Sequence, residues 1–196
     1  MMDKGAISKH VKRGFDLMLA VLLGALLLLP LLLLALSVKL TSKGPVLYWS
    51  DRVGRNNTIF KMPKFRSMQT GTPAVATHLL GNPDAYLTGV GSFLRRSSLD
   101  ELPQLWSIIR GDMSFVGPRP ALFNQYDLIE ARTRCGVHQL VPGLTGWAQI
   151  NGRDELPILQ KVALDTEYLD RISFWFDMKI IIQTIFRVLA RDNVAH

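Results

Sequence analysis

Asp100 and Glu101 stand side by side in SSLDELPQLW, residues 97 to 106, within a chain of formal net charge +7. A carboxylate can attack phosphorus and form an acyl phosphate, and a carboxylate pair can share a divalent cation such as Mg²⁺ with phosphate oxygens. If a helix begins here, its free N–H groups and positive potential favour an anion. Two carboxylates would repel a phosphate from that position unless a cation bridged them, and this is the reason to expect Mg²⁺. A structural alternative needs no chemistry. Ser98 and Glu101 fit the S-x-x-E capping box, and Pro103 suits a helix's first turn. The spacing alone leaves both readings open.

Phosphate chemistry needs cations, and Lys64, Arg66, Arg95, Arg96 and Arg119 are the ones near the dyad and the apolar segment. Arg119 sits in FVGPRP, residues 115 to 120, between two prolines that lock the backbone. A fixed guanidinium suits bidentate phosphate binding; a rigid turn with an exposed arginine is the plainer account. GLTGWAQINGR, residues 143 to 153, reads either as a base- or sugar-binding loop or as a packed corner. His10, His78, His138 and His196 show no metal-ligand spacing. The one cysteine, Cys135, forms no intrachain disulfide, fits a reducing compartment and is expected to be buried.

Positioning these residues falls to an unevenly distributed hydrophobic content. Apolar residues make up 48% of the chain, and the excess lies between Phe15 and Val38. As a helix that run would be about 36 Å long, against a hydrocarbon core of about 30 Å. It is too long for a cleavable signal, and Ser37-Val38-Lys39 is a poor cleavage site. Pro30 interrupts it near the middle, where a helix-interior proline costs about 3 kcal/mol. Lys4, Lys9, Lys12 and Arg13 precede the run, and Lys39, Lys43, Arg52 and Arg55 follow it. Positive charge at both ends favours a kinked helix that enters and leaves by the cytoplasmic side, while a plain span remains open.

After the break at Gly44-Pro45, VLYWSDRVG and TIFKMPKFRSM read as two strands around a turn at Gly54 to Asn57. Residues 69 to 92 read as a surface loop with one helical turn. Leu102, Leu105, Trp106 and Ile109 give a helix its apolar face. GDMSFVGPRP is expected to be a loop, 121–134 a helix, and 141–156 a turn-rich segment. Helical patterns resume over 157–170 and through FWFDMKIIIQTIFRVLA. The basic charge also raises nucleic acid as a partner. With no zinc spacing, basic zipper or RNP-like motif, and with the charge near the apolar segment, no nucleic-acid role is expected.

Taken in order, KFRSM, RRSSLDELPQLW, GDMSFVGPRP and PGLTGWAQINGR follow a basic, apolar N-terminus. This resembles the bacterial polyprenyl-phosphate sugar-phosphate transferases, the monotopic phosphoglycosyl transferases, in their small form, from about Lys12 to Arg191. The resemblance implies transfer of sugar-1-phosphate from a UDP-sugar to undecaprenyl phosphate at the cytoplasmic face of the bacterial inner membrane, with release of UMP. It implies that Asp100 is the nucleophile, that Glu101 holds Mg²⁺, and that Arg95, Arg119, Lys64 and Arg153 contact phosphate. It also implies a mainly helical α+β fold. Residues 1–40 would form a re-entrant membrane helix broken at Pro30, and 41–196 a catalytic domain with a small hairpin and interfacial helices.

The extra N-terminal membrane helices of long-form relatives are expected to be lacking. Phe174, Trp175, Phe176 and Ile181 are expected to touch lipid. Later glycosyltransferases are candidate partners, and the similarity to small-form members suggests an N-acetylated 6-deoxyhexosamine as the sugar. The family often carries Ser-Pro at the break, where this chain has Leu29-Pro30, so a hydroxyl that could satisfy a freed carbonyl is missing. A non-catalytic membrane scaffold for glycan-assembly enzymes is the competing reading, though it would have no need of the dyad and its arginines.

Overall fold

The computed structural model describes residues 4–73, 75, 80–152 and 156–192, and they form a mainly helical α+β fold. Helices α1 (Lys4–Leu26) and α2 (Leu28–Thr41) meet at Leu27. Pro30 explains a break at that point, three residues before the proline itself. Its ring collides with the carbonyl four residues back, that of Leu26, and it has no N–H to offer it. The chain therefore bends by 64°, and Pro30 occupies the first turn of α2, where a missing N–H costs nothing. The break expected at Pro30 is corrected to Leu27. Among the described residues no single helix is long and apolar enough to cross a membrane, whereas the bent pair together is. Leu22, Leu26, Leu29 and Leu32 all point outward.

Strands β1 (Leu47–Val53) and β2 (Ile59–Phe65) pair antiparallel, with Tyr48 opposite Lys64 and Ser50 opposite Met62. The turn between them places Asn56 and Asn57 at φ 54° and 60°, a left-handed conformation that asparagine tolerates better than most residues. This is the expected hairpin. A short 3₁₀ turn at Pro83–Tyr86 and helix α3 (Gly91–Arg96) follow.

The helix expected from Leu102 has a different register. Residues Leu99–Gln104 form a 3₁₀ helix that leads into α4 (Leu105–Arg110). Three residues per turn rotate the face relative to an α-helical reading. Gln104, Leu105, Ser107 and Ile108 are buried, while Trp106 is 52% exposed instead of packed.

Two segments read as loops contain further elements. Strand β3 (Ser114–Val116) pairs in parallel with β4 (Gly143–Thr145), and α6 (Trp147–Gly152) follows directly. Close backbone approach explains the glycines: a Cβ on Gly143 would lie 2.1 Å from Gly117 N, and one on Gly146 2.1 Å from Gly117 O. Helix α5 runs Tyr126–Arg134, starting later than expected, because residues 121–125 form a turn closed by Leu122 N donating to Gln125 Oε1 at 2.8 Å. Helices α7 (Ile158–Arg171) and α8 (Phe174–Asp192) complete the chain as expected.

One apolar cluster joins Ala20 of α1, Met62 of β2, Ile108 of α4, Val116 of β3, Tyr168 of α7 and Ile180 of α8. Phe176, expected at lipid, belongs to this cluster, with ring centroids 5.1 Å from Trp147 and 6.0 Å from Tyr168. Phe174 packs edge-on against Phe15, and Ile181 lies against the core. The amphipathic face of α8 turns these residues inward, leaving Trp175, Ile182, Ile185 and Phe186 outside. Lys12 and Arg13 are not free flanking charges either. Lys12 donates to Asp177 Oδ2 at 2.5 Å, and Arg13 donates to the carbonyls of Ile108 and Ile109 at 2.6 and 2.8 Å. Cys135 follows the last turn of α5 and is exposed, contrary to the expectation of burial.

Gly143→Ala forces its new methyl into the Gly117 backbone, so it should destabilise the protein by at least about 2 kcal/mol. Gly24→Ala, whose methyl meets nothing within 4 Å, should leave stability unchanged or raise it slightly. Thermal unfolding in detergent compares the two.

Candidate active site

Ser98 enters the dyad helix at φ 58°, a left-handed conformation uncommon for serine, and its side chain caps nothing. The expected capping box does not form. Glu101 N bonds back to Ser98 O at 3.2 Å, but the Glu101 carboxylate turns toward two cations instead. Lys64 Nζ of β2 donates to Glu101 Oε1 at 2.7 Å, and Arg119 Nη2 donates to the same oxygen at 3.0 Å. Two opposite charges at this range outweigh the cost of a buried carboxylate.

The two carboxyls of the dyad are therefore unequal. Burial pushes Glu101 up, but Arg119 and Lys64 outweigh it and hold its carboxyl well below the usual range. Asp100 is only 7% exposed, and no hydrogen bond reaches its carboxylate among the described residues. Burial raises its pKa; Lys64 pulls it down, Glu101 pushes it up, and Arg95 and Arg119 pull it down further, with a net rise. Burial lowers the pKa of Lys64, partly offset by Glu101, while Arg119 lowers it again.

Of the expected site residues, Asp100, Glu101, Lys64, Arg95 and Arg119 come together from β2, α3, the 3₁₀ helix and the P-R-P turn. Arg66 and Arg96 do not join them. Arg66 is 4% exposed and donates to the carbonyls of Pro45, Lys43 and Ser42, which ties down the chain after α2. Arg96 is exposed. Arg153, His78 and His196 lie outside the described residues. Three side-chain donors of GLTGWAQINGR bond within the protein: Trp147 Nε1 to Glu167 Oε2, Gln149 Nε2 to Leu144 O and Asn151 Nδ2 to Trp147 O. Gln149 Oε1 is buried with no partner among the described residues. The three bonded donors fit the packed corner.

The sequence reading passed over Arg52 and Arg132, which bond the carbonyls of Pro120 and Arg119. No local pattern marks them, because their partners are 68 and 13 residues away.

Among the described residues no group of three or more His, Cys, Asp or Glu side chains converges on a metal position. Mg²⁺ needs less from a protein: one or two carboxylates, with phosphate and water completing its octahedron. Asp100 and Glu101 fit that requirement, since both cations fall on Glu101 Oε1 and, among the described residues, no donor occupies Asp100. The donor set suits a cation that arrives with a diphosphate.

A buried carboxylate with no hydrogen bond among the described residues stands beside held cations, an arrangement chemically suited to attack on phosphorus. The chain belongs to the bacterial sugar transferase family, whose pattern matches residues 7–191. It is 44% identical over 199 residues to the undecaprenyl-phosphate glucose phosphotransferase of Komagataeibacter xylinus, covering 93% of this chain and 36% of that protein. It is 44% identical over 191 residues to the UDP-glucose:undecaprenyl-phosphate glucose-1-phosphate transferase of Escherichia coli K12, covering 92% and 40%. These proteins are much longer than the stretch that matches. The exopolysaccharide production protein ExoY of Sinorhizobium fredii is closer in size, 39% identical over 92% of this chain and 85% of its own.

Removing the carboxylate that offsets two half-buried cations leaves them facing each other. Glu101→Gln should cost on the order of 3 kcal/mol of stability, and adding Lys64→Met should recover most of it. The Glu101 contribution should be fully present above the ordinary carboxylate range near pH 4.5. It should disappear only as pH falls through the lowered native value, because there the unfolded state binds the proton first. Chemical denaturation in detergent across that range checks both statements.

Proposed function

We propose that this chain transfers sugar-1-phosphate from a UDP-sugar to undecaprenyl phosphate, with Asp100 as the covalent nucleophile. The observation that carries the reading is the contrast within the dyad: Glu101 is bonded to Lys64 and Arg119, while among the described residues no hydrogen bond engages the buried Asp100 beside it. Membership in the sugar transferase family supports the reaction class. The relatives' names specify glucose, so glucose replaces the N-acetylated 6-deoxyhexosamine as the proposed sugar. The product would be the first lipid-linked intermediate of a surface polysaccharide.

In the first step an Asp100 oxygen attacks the β-phosphorus of the donor. The bond from that phosphorus to the bridging oxygen breaks, and UMP leaves with the electron pair. In the second step a phosphate oxygen of undecaprenyl phosphate attacks the same phosphorus, and Asp100 departs as carboxylate. Burial raises the basicity of Asp100 and so its nucleophilicity once ionised. Glu101 is a poor nucleophile because its charge is spread over two hydrogen bonds. Its role is to gather Lys64 and Arg119 where negative charge develops. Arg95, half-buried on α3, adds a third cation, and Arg153 is retained as a phosphate contact. When bound, Mg²⁺ held by Glu101 with Asp100 would neutralise diphosphate charge.

Residues 1–40 would be the membrane part of the protein and residues 41–196 the part that carries the chemistry. The 64° bend and the basic residues on both flanks support re-entry from the cytoplasmic face of the inner membrane. Trp175, Ile182 and Phe186 of α8 would lie in the interface.

Incubation with UDP-glucose labelled in the β-phosphate and sugar, without acceptor, should label the native protein. Asp100→Asn should lose the label and fall on the order of 10⁴-fold in turnover. Normal UMP release by Asp100→Asn would contradict the nucleophile assignment, and an unlabelled, inactive native chain would favour the scaffold. In a Cys135→Ser background, cysteines at Val11 and Lys43 should both react from the cytoplasmic side. Labelling from opposite sides would rule out re-entry.

A further inference from the structure

We propose that Arg132, held by Asp165, is a positioning residue for Arg119: it fixes the backbone of the turn from which Arg119 reaches the dyad. The proposal rests on the reading of Arg119 as a phosphate-binding residue. Pro118 and Pro120 fix φ within the turn but leave the placement of the turn as a whole undetermined. Hydrogen bonds supply that placement at successive carbonyls. Pro118 O accepts from Gly143 N at 2.9 Å, Pro120 O from Arg52 Nη1 at 3.1 Å, and Ala121 O from Val53 N at 2.9 Å. The carbonyl of Arg119 itself accepts from Arg132 Nη1 at 2.7 Å.

The guanidinium of Arg132 is in turn immobilised. Its Nε and Nη2 both donate to Asp165 Oδ2, at 3.0 and 2.7 Å, with Arg132 7% and Asp165 2% exposed. Arg132 belongs to α5 and Asp165 to α7, which pack together through Leu128 and Val162. A planar fork bound along its Nε–Nη2 edge has fixed directions for its remaining N–H groups, and one of those on Nη1 points at Arg119 O. Behind the turn lies a cavity of about 30 Å³ lined by Val53, Asn57, Pro118, Arg132, His138 and Pro142. Loss of the guanidinium enlarges this space and lets the turn retreat, which draws Arg119 away from Glu101.

A buried ion pair that served stability alone would be replaceable by apolar residues of similar volume. That separates the two roles. UDP affinity, measured by calorimetry in detergent, is the readout, because UDP carries the phosphates Arg119 would hold and requires no turnover. Arg132→Lys cannot serve Asp165 and Arg119 O together, and it should weaken UDP binding about tenfold, a coupling typical of contacting residues. In an Arg119→Ala background the same change should add no further loss. Arg132→Met with Asp165→Leu should unfold at the native temperature yet keep the weakened UDP binding. Multiplicative losses in the Arg119→Ala background would overturn the proposal, as would recovery of UDP affinity in the apolar pair. Failure of the native chain to bind UDP would instead contradict the reading of Arg119, and this inference would fall with it.

Discussion

A single carboxylate oxygen, Glu101 Oε1, accepts hydrogen bonds from Lys64 and Arg119, and the electrostatics of the site depend on that convergence. Two cations do not share a largely buried space unaided. At an effective dielectric of about 20, like charges about 4 Å apart repel by roughly 4 kcal/mol. Glu101 turns that repulsion into a bound cluster, and burial lowers the Lys64 pKa less than it otherwise would. Asp100, one residue earlier, experiences the cations without bonding to them. Beside its neighbour's ion pairs Asp100 stays buried with a raised pKa, which suits the proposed attack on phosphorus.

The geometry follows from a tight helix start. The 3₁₀ turn at Leu99–Gln104 buries Asp100 while leaving Glu101 able to face β2 and the P-R-P turn. A regular capping box would have drawn Glu101 back to Ser98 and removed the anchor for both cations. The left-handed Ser98 marks where the chain departs from that alternative. Arg13 ties α1 to the carbonyls at the end of α4, so the apolar segment and the dyad-bearing helix pack as one unit. For the proposed reaction, which joins a soluble nucleotide sugar to a lipid, such a unit would keep the apolar segment and the dyad in register.

The parts legible in the sequence were those encoded locally. Alternation around Gly54–Asn57 gave the hairpin, and helical periodicity gave α7 and α8. Residue type and spacing raised Asp100, Glu101 and Arg119 as candidates, and the structure brings them together. The clash rule for Pro30, applied four residues back, would have placed the bend at Leu27 from sequence alone. Strands of three residues, β3 and β4, left no alternation to read, and their glycines resembled loop signals when they serve backbone contact instead. Trp106 and Phe176 were misassigned because apolar character does not say which face of a helix the core occupies. Arg132 and Asp165 were invisible for a different reason: a buried pair formed between two helices leaves no trace in either one.

The central claim is that the sugar phosphate passes through the protein and is not handed directly from donor to acceptor. Isotope exchange between labelled UMP and unlabelled UDP-glucose, with no undecaprenyl phosphate present, tests it most directly. Reversible attack by Asp100 predicts that label enters UDP-glucose in the native chain and fails to enter in Asp100→Asn. Absence of exchange in a native chain that turns over when acceptor is added would contradict the covalent route.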